Sequence, residues 1–308
     1  MQRGLRPPFS LEEPYLLRPS PYLLLALANL FWAGNWIVGR AFRDAVPPVA
    51  LSFWRWTIAL LLVLPFAWPH LRRDWPQLKA AWRWLIPFGV LGTACYNALC
   101  YVGLQYTTVI NGLLLNSFIT IVIVCLGWAF LGKRLRPVEA LGVAVSFLGV
   151  ASIVARGNAG VLTGLHLNGG DIWILASVFA WAAYTLMLPH RPQTHPLSFL
   201  TAITVVGLIA LAPAYAWEIA MGRLIVPMPA ALAGIAYTGI FPAFLGYIFW
   251  NRGVAEVGPA RAGLFLHLMP AFGILLSFMF LDERPAGYHI AGIVLIFTGI
   301  WLNTRRQT

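Results

Sequence analysis

The sequence predicts an all-α membrane protein: ten transmembrane helices arranged as two inverted five-helix repeats. Three observations lead there. The 308 residues are 60% hydrophobic and only 10% charged, against about 25% charged in a water-soluble domain. Apolar runs near 20 residues, the length that crosses about 30 Å of hydrocarbon, recur along the whole chain. The two halves also resemble each other at a constant spacing.

The elements follow in order. Residues 1–20, MQRGLRPPFSLEEPYLLRPS, hold prolines and charges but no long apolar core, and read as a cytoplasmic tail rather than a cleaved signal. The spacing predicts helices over 21–39, 48–68, 84–104, 108–131 and 137–155. These are separated by RDAVPP, HLRRDWPQLK and GKRLRP. A Gly/Asn-rich connecting loop, 156–169, is the natural midpoint. Helices over 170–188, 196–217, 230–251, 260–281 and 287–303 follow, separated by HRPQTHP, RLIVPMP, EVGP and DERP. The first unit is therefore 21–155 and the second 170–304.

The net charge of +11 could signal nucleic acid in a soluble chain, but here its placement fits a membrane topology. With the N-terminus in the cytoplasm, 15 of the 21 Lys and Arg residues fall in inside segments and five in outside ones; Arg55 lies within helix two. That bias places both termini in the cytoplasm, and no nucleic-acid partner is expected. Cys95, Cys100 and Cys125 all lie in apolar segments, so neither a disulfide nor a metal site is expected.

The repeat is legible without gaps. In 126-LGWAFLGKRLRPVEALGVAVSFLGV-150 and 276-LSFMFLDERPAGYHIAGIVLIFTGI-300, seven residues match at an offset of 150, among them Gly142/Gly292 and Gly149/Gly299. Earlier, 31-FWAGNW-36 resembles 180-AWAAYT-185 at an offset of 149. Five helices is an odd number, so consecutive units must lie in opposite orientations. Inverted repeats of this kind mark secondary transporters, with substrate bound between the repeats near mid-membrane. The basic loop of Lys133, Arg134 and Arg136 corresponds to the loop of Asp282, Glu283 and Arg284, so the charge changes sign where the topology inverts.

Ten helices, the doubled unit, the stretch "LSFMFLDERPAGYHIAGIVLIFTGI" and the tryptophan-bearing starts "LFWAGNWIVGR" and "FAWAAYTLM" resemble the drug/metabolite transporter superfamily, specifically its EamA-type members. The resemblance covers roughly residues 21–303. It implies export of amino acids and related metabolites across the bacterial cytoplasmic (inner) membrane. Bacterial aromatic amino acid exporters look closest, because this chain is so aromatic-rich. One departure is Lys133, where many members carry an acidic residue in both repeats.

The ten Asp and Glu residues all sit in loops, tails or helix ends. That argues against proton antiport through a membrane-embedded carboxylate. His267 is the main titratable group at mid-span, and Pro270 three residues later frees a backbone carbonyl nearby. His267 reads either as a packing residue bonded to a neighbouring helix or as part of a cavity wall and a proton site. Arg55, about two turns into helix two, either snorkels to the outer interface or offers a carboxylate site.

Polar and aromatic residues recur at helical spacing on several helices. The expected substrate-binding set is Trp32, Asn35, Trp36, Tyr96, Asn97, Tyr101, Asn116, Ser117, Trp181, Tyr184, Tyr237, Phe244, Tyr247 and His267. The bland reading of each aromatic is lipid-facing or interfacial anchoring, strongest for tryptophans near span ends such as Trp68, Trp82 and Trp301. Pro242 and Pro270 are the candidate bends, and small residues such as Gly142, Ser146 and Gly149 permit close helix contacts.

An acid-free, aromatic interior suits neutral or zwitterionic small molecules with apolar side chains. A multidrug or other metabolite exporter of the same fold is the alternative. A sugar-phosphate or nucleotide-sugar exchanger needs several interior cations, and only Arg55 qualifies. No HExxH, paired Asp motif or Ser/His/Asp arrangement indicates an enzyme, and no cofactor is expected. A doubled unit already makes a complete inverted pair, so the expected working form is a monomer in the lipid bilayer.

Overall fold

The computed structural model describes residues 19–107, 109–132, 136–158, 160–161, 168–281 and 286–304. Every long element among them is helical, and ten are long and apolar enough to cross a membrane. They are α1 Pro21–Ala41, α2 Pro48–Ala80, α3 Trp82–Tyr106, α4 Val109–Leu131, α5 Pro137–Val154, α6 Gly169–His190, α7 Pro196–Ala220 and α8 Pro229–Val257. The ninth, α9, runs as Pro259–Leu264, a 3₁₀ turn Phe265–His267 and Leu268–Leu281, and α10 is Gly287–Thr304. Proline stands at the first helical turn of α1, α2, α5, α7, α8 and α9, where its missing N–H costs no hydrogen bond.

The sequence places the end of the second helix at 68, but α2 continues to Ala80, so HLRRDWPQLK is helix and not a separating loop. The reason is facial. Pro65, Pro69 and Pro76 all fall on the exposed face, while Ala67, Asp74 and Leu78 line the buried one. Packing of α2 along α7 holds the buried face and tolerates the gaps that proline leaves in the outer hydrogen bonds. Likewise α8 runs six residues beyond its expected end, to Val257. The charged loops of Lys133 and Arg134 and of Asp282, Glu283 and Arg284 lie outside the described residues.

The inversion is visible in backbone detail. A π-helical segment interrupts α3 at Gly89–Cys95 and α8 at Gly239–Leu245, the same stretch of the unit 150 residues on. Helices α5 and α10 run antiparallel in direct backbone contact. A methyl group at Gly142 would lie 2.7 Å from the Gly299 carbonyl oxygen, and one at Gly149 would lie 2.6 Å from that of Gly292. Each glycine thus meets the repeat-mate of the other, as a two-fold relation requires.

Helices α2 and α7 also cap each other. Glu218, near the end of α7, accepts from the backbone N–H groups of Val49 (3.0 Å) and Ala50 (2.8 Å) at the start of α2. Asp74 of α2 accepts from His195 N–H (2.8 Å) at the start of α7. Each carboxylate satisfies donors that a helix start leaves open and sits at the positive end of the helix dipole. An ion pair between Arg261 and Glu139 (3.7 Å) brings the starts of α9 and α5 to one end of the bundle.

Most packing is between the units rather than within them. Helix α1 lies against α8 and α9; by the inversion, α6 lies against α3 and α4. Helix α2 meets the π-segment of α8, and α7 meets that of α3. The two repeats are interleaved around a shared core.

Candidate functional site

The shared core is where repeat-mates meet. Trp32 of α1 and Trp181 of α6, 149 residues apart, contact edge to face with ring centroids 5.1 Å apart. Asn97 of α3 donates to the hydroxyl of Tyr247 of α8, 150 residues on (3.4 Å). Around this pair the rings continue: Tyr96 and Tyr184 lie 4.6 and 5.1 Å from Trp181, and Trp56 lies 4.7 Å from Tyr247. Trp250 lies 5.2 Å from Trp32. All of these rings are buried.

The π-segments serve this core. A wider helical turn leaves backbone carbonyls without their usual donors. Trp32 Nε1 donates to the Pro242 carbonyl (3.0 Å), and the Tyr247 hydroxyl donates to the Gly92 carbonyl. Gly92 and Pro242 are themselves 150 residues apart, so each segment offers the equivalent carbonyl to a ring of the opposite unit. Pro242 removes one further N–H from its segment.

Two Asn–Tyr pairs flank the rings. Tyr101 donates to Asn35 Oδ1 (2.5 Å), and Tyr184 donates to Asn251 Oδ1 (2.7 Å). Asn35 and Tyr184 are mates at offset 149, Tyr101 and Asn251 at 150. The same bond is kept between α1/α3 and α6/α8 with donor and acceptor exchanged.

The symmetry ends at Arg55. Its side chain is fully buried and does not reach an interface. Nη1 donates to Asn97 Oδ1 (2.6 Å) and the Tyr101 hydroxyl (2.9 Å), with a longer bond to Asn35 Oδ1 (3.3 Å). Across the inversion, Arg55 and Ile203 supply the carbonyls that lie against Gly239 and Gly89 respectively, so the second unit holds an aliphatic residue there.

His267 lies apart from the rings, where α4, α5 and α9 meet. Its Nε2 faces the Ser117 carbonyl (3.1 Å), and its Nδ1 faces the Ser146 hydroxyl (2.7 Å). A carbonyl only accepts, so Nε2 carries the proton and Nδ1 accepts from Ser146. Ser117 is the repeat-mate of His267, so this contact too lies on the inversion axis. The 3₁₀ turn ends at His267, ahead of Pro270, and Thr120 of α4 donates to the Gly263 carbonyl one turn earlier (2.7 Å).

The structure brings together Trp32, Asn35, Tyr96, Asn97, Tyr101, Trp181, Tyr184, Tyr247 and Arg55. Asn116 joins through Tyr96, whose hydroxyl donates to Asn116 Oδ1 (3.1 Å). Trp36 is buried, and its ring closes on Gly112 of α4. Ser117 donates to Leu114 O (2.6 Å) and serves His267 through its backbone. Tyr237 is half-buried and ties α8 to the Phe31 carbonyl of α1 (3.1 Å). Phe244 is half-buried, with no ring contact to the cluster among the described residues. Trp56 and Trp250 complete the centre beyond the expected set, together with Asn251, which stands four residues after Tyr247 on the polar–aromatic face that helical spacing already gives this helix.

Comparison with known proteins agrees with this architecture. The model of the EamA-like transporter family matches residues 19–155 and 168–305. The uncharacterized transporter YyaM of Bacillus subtilis is 25% identical, over 91% of this chain and 92% of its own. An uncharacterized transporter of Archaeoglobus fulgidus is 27% identical, over 94% and 99%. A Streptantibioticus cattleyicolor protein named "Probable terminal-alkyne amino-acid exporter" is 26% identical, over 92% of both chains. One crystal structure shares the fold with a TM-score of 0.72 at 19% identity, covering 94% of this chain and 97% of that one.

Proposed function

The chain belongs to the EamA-like transporter family, and on that premise we propose that it exports amino acids, aromatic or bulky neutral ones, and related small metabolites from the bacterial cytoplasm. As a member of that family it is a membrane transporter and not an enzyme. The observation that carries the substrate reading is the core itself: buried tryptophans, tyrosines and asparagines contributed by both repeats, with no carboxylate among its described members. Such a lining suits an apolar side chain through ring contacts and a polar head through amide and hydroxyl groups. The relative named as an amino-acid exporter points the same way.

Alternating access follows from the inverted pair. Because the repeats are interleaved, the proposed moving units are mixed bundles. One contains α1, α2, α8 and α9, the other α3, α4, α6 and α7, with α5 and α10 paired beside them. Pro242 and Pro270 interrupt helices of the first bundle and are the proposed bends. Both nitrogens of His267 are engaged, so the proposed export runs down the substrate gradient without a proton relay. Both termini are proposed to be cytoplasmic and the working unit a monomer.

The test is flux into proteoliposomes of labelled tryptophan, phenylalanine, methionine, threonine, a quaternary drug and a sugar phosphate, with and without an imposed pH gradient. The proposal expects saturable amino-acid flux that needs no gradient. Drug flux alone would move the protein to the multidrug class, and accumulation only with the gradient would restore His267 as a proton site.

A further inference from the structure

Resting on the transport role just proposed, Arg55 specifies what part of the substrate is recognised. Its guanidinium is fully buried, and no described Asp or Glu pairs with it. Only one corner is committed: Nη1 faces Asn35, Asn97 and Tyr101. Nε and Nη2 have no hydrogen-bond partner among the described residues. Those two atoms share one edge of the planar group, and their parallel N–H bonds match the two oxygens of a carboxylate. A buried cation lacking a counter-charge is costly, and an anion seated on that edge compensates it.

The surroundings supply the rest of a ligand's contacts. Arg55 Cζ lies 5.3 Å from the Trp56 ring, and Trp56 packs on Tyr247. Tyr247 in turn lies 5.3 Å from Trp181, which contacts Trp250. The indole N–H groups of Trp56, Trp181 and Trp250 are also without acceptors among the described residues. The centre therefore holds uncommitted donors and no anionic acceptor for an ammonium.

We propose that the Nε/Nη2 edge of Arg55 is a carboxylate subsite, so that the transporter selects apolar and aromatic molecules by their carboxylate and not by their amino group. The planar fork of Arg55 grips the carboxylate, and the Trp–Tyr cluster takes the side chain.

The test is equilibrium binding to the purified full chain in lipid nanodiscs, with three probes: phenylalanine, 3-phenylpropionate and phenylalaninamide. Wild-type protein is expected to bind both acids and to bind the amide more weakly by about tenfold to a hundredfold. Arg55→Gln is expected to bring both acids to the level of the amide, with Arg55→Lys in between. An amide that binds wild-type protein as tightly as phenylalanine overturns the proposal, whether or not the variants fold. So does undiminished binding of the acids to Arg55→Gln; in either case amino-acid export itself survives. If 3-phenylpropionate binds in an Arg55-dependent way and phenylalanine does not, the subsite stands and the amino-acid reading falls. Binding of none of the three removes both.

Discussion

Tyr247 shows how single side chains hold the centre. Its hydroxyl accepts from Asn97 and donates to the Gly92 carbonyl, while its ring packs on Trp56, Trp181 and Tyr184. Phenylalanine would keep the ring and strand the carbonyl, a loss of about 1–3 kcal/mol for a buried polar group without a partner. Tyr247→Phe is therefore expected to lower the unfolding midpoint of the purified protein, and an unchanged midpoint would show that the Gly92 carbonyl finds another donor. Much of this centre was legible residue by residue. Trp32, Asn35, Tyr101 and Trp181 announce themselves as polar or aromatic groups at mid-span with helical spacing. Trp56 and Trp250 do not, because a tryptophan in an apolar helix reads equally well as a lipid anchor. Only the partner across the inversion decides its facing.

At the scale of elements, the α5–α10 seam depends on the absence of side chains. A methyl at Gly149 would lie 2.6 Å from the Gly292 carbonyl oxygen, and backbone cannot step aside as a side chain can. Gly149→Ala is expected to cost about 1–3 kcal/mol by overpacking. Gly273→Ala, where nothing lies within 4 Å, is expected to be neutral or to stabilise α9 slightly. A thermal-shift comparison of the two variants checks both.

The α2–α7 ends carry a pH dependence. The His195 and His70 rings stack in parallel with centroids 3.6 Å apart. Burial, then His70 and Arg73, hold the His195 imidazole below its ordinary pKa, while Asp74 opposes them. The folded protein thus disfavours the protonated ring. Stability is complete above the unfolded value of about 6.5 and declines as pH falls below it. Melting at pH 7.5 and 5.5 is expected to show this decline, and His195→Asn, which can still accept the Leu197 N–H, is expected to flatten it. These contacts were not readable beforehand. Pro69, Pro76 and the charges of HLRRDWPQLK look like a break, and only the long-range fit of α2 to α7 makes them helix.

For the whole molecule, interleaving has consequences that the repeat alone does not state. Gly142/Gly292 and Gly149/Gly299 reveal two units in the sequence, and the odd helix count gives their inversion. That α1 leans on α8 and α9, and not chiefly on its own unit, depends on three-dimensional packing. The 21–155 unit expressed alone is therefore expected to leave apolar helix faces uncovered and to aggregate, whereas co-expression with 170–304 is expected to restore a monodisperse protein on size exclusion.

Under the proposed function, the ring cluster where the repeats cross is the transport site of an amino-acid exporter. Counterflow of labelled phenylalanine in proteoliposomes, comparing wild type with Trp181→Ala at matched reconstitution, tests it most directly. Saturable counterflow is expected in wild type and its loss in the variant. Absence of phenylalanine counterflow in wild type, or equal counterflow in a folded Trp181→Ala protein, would contradict it.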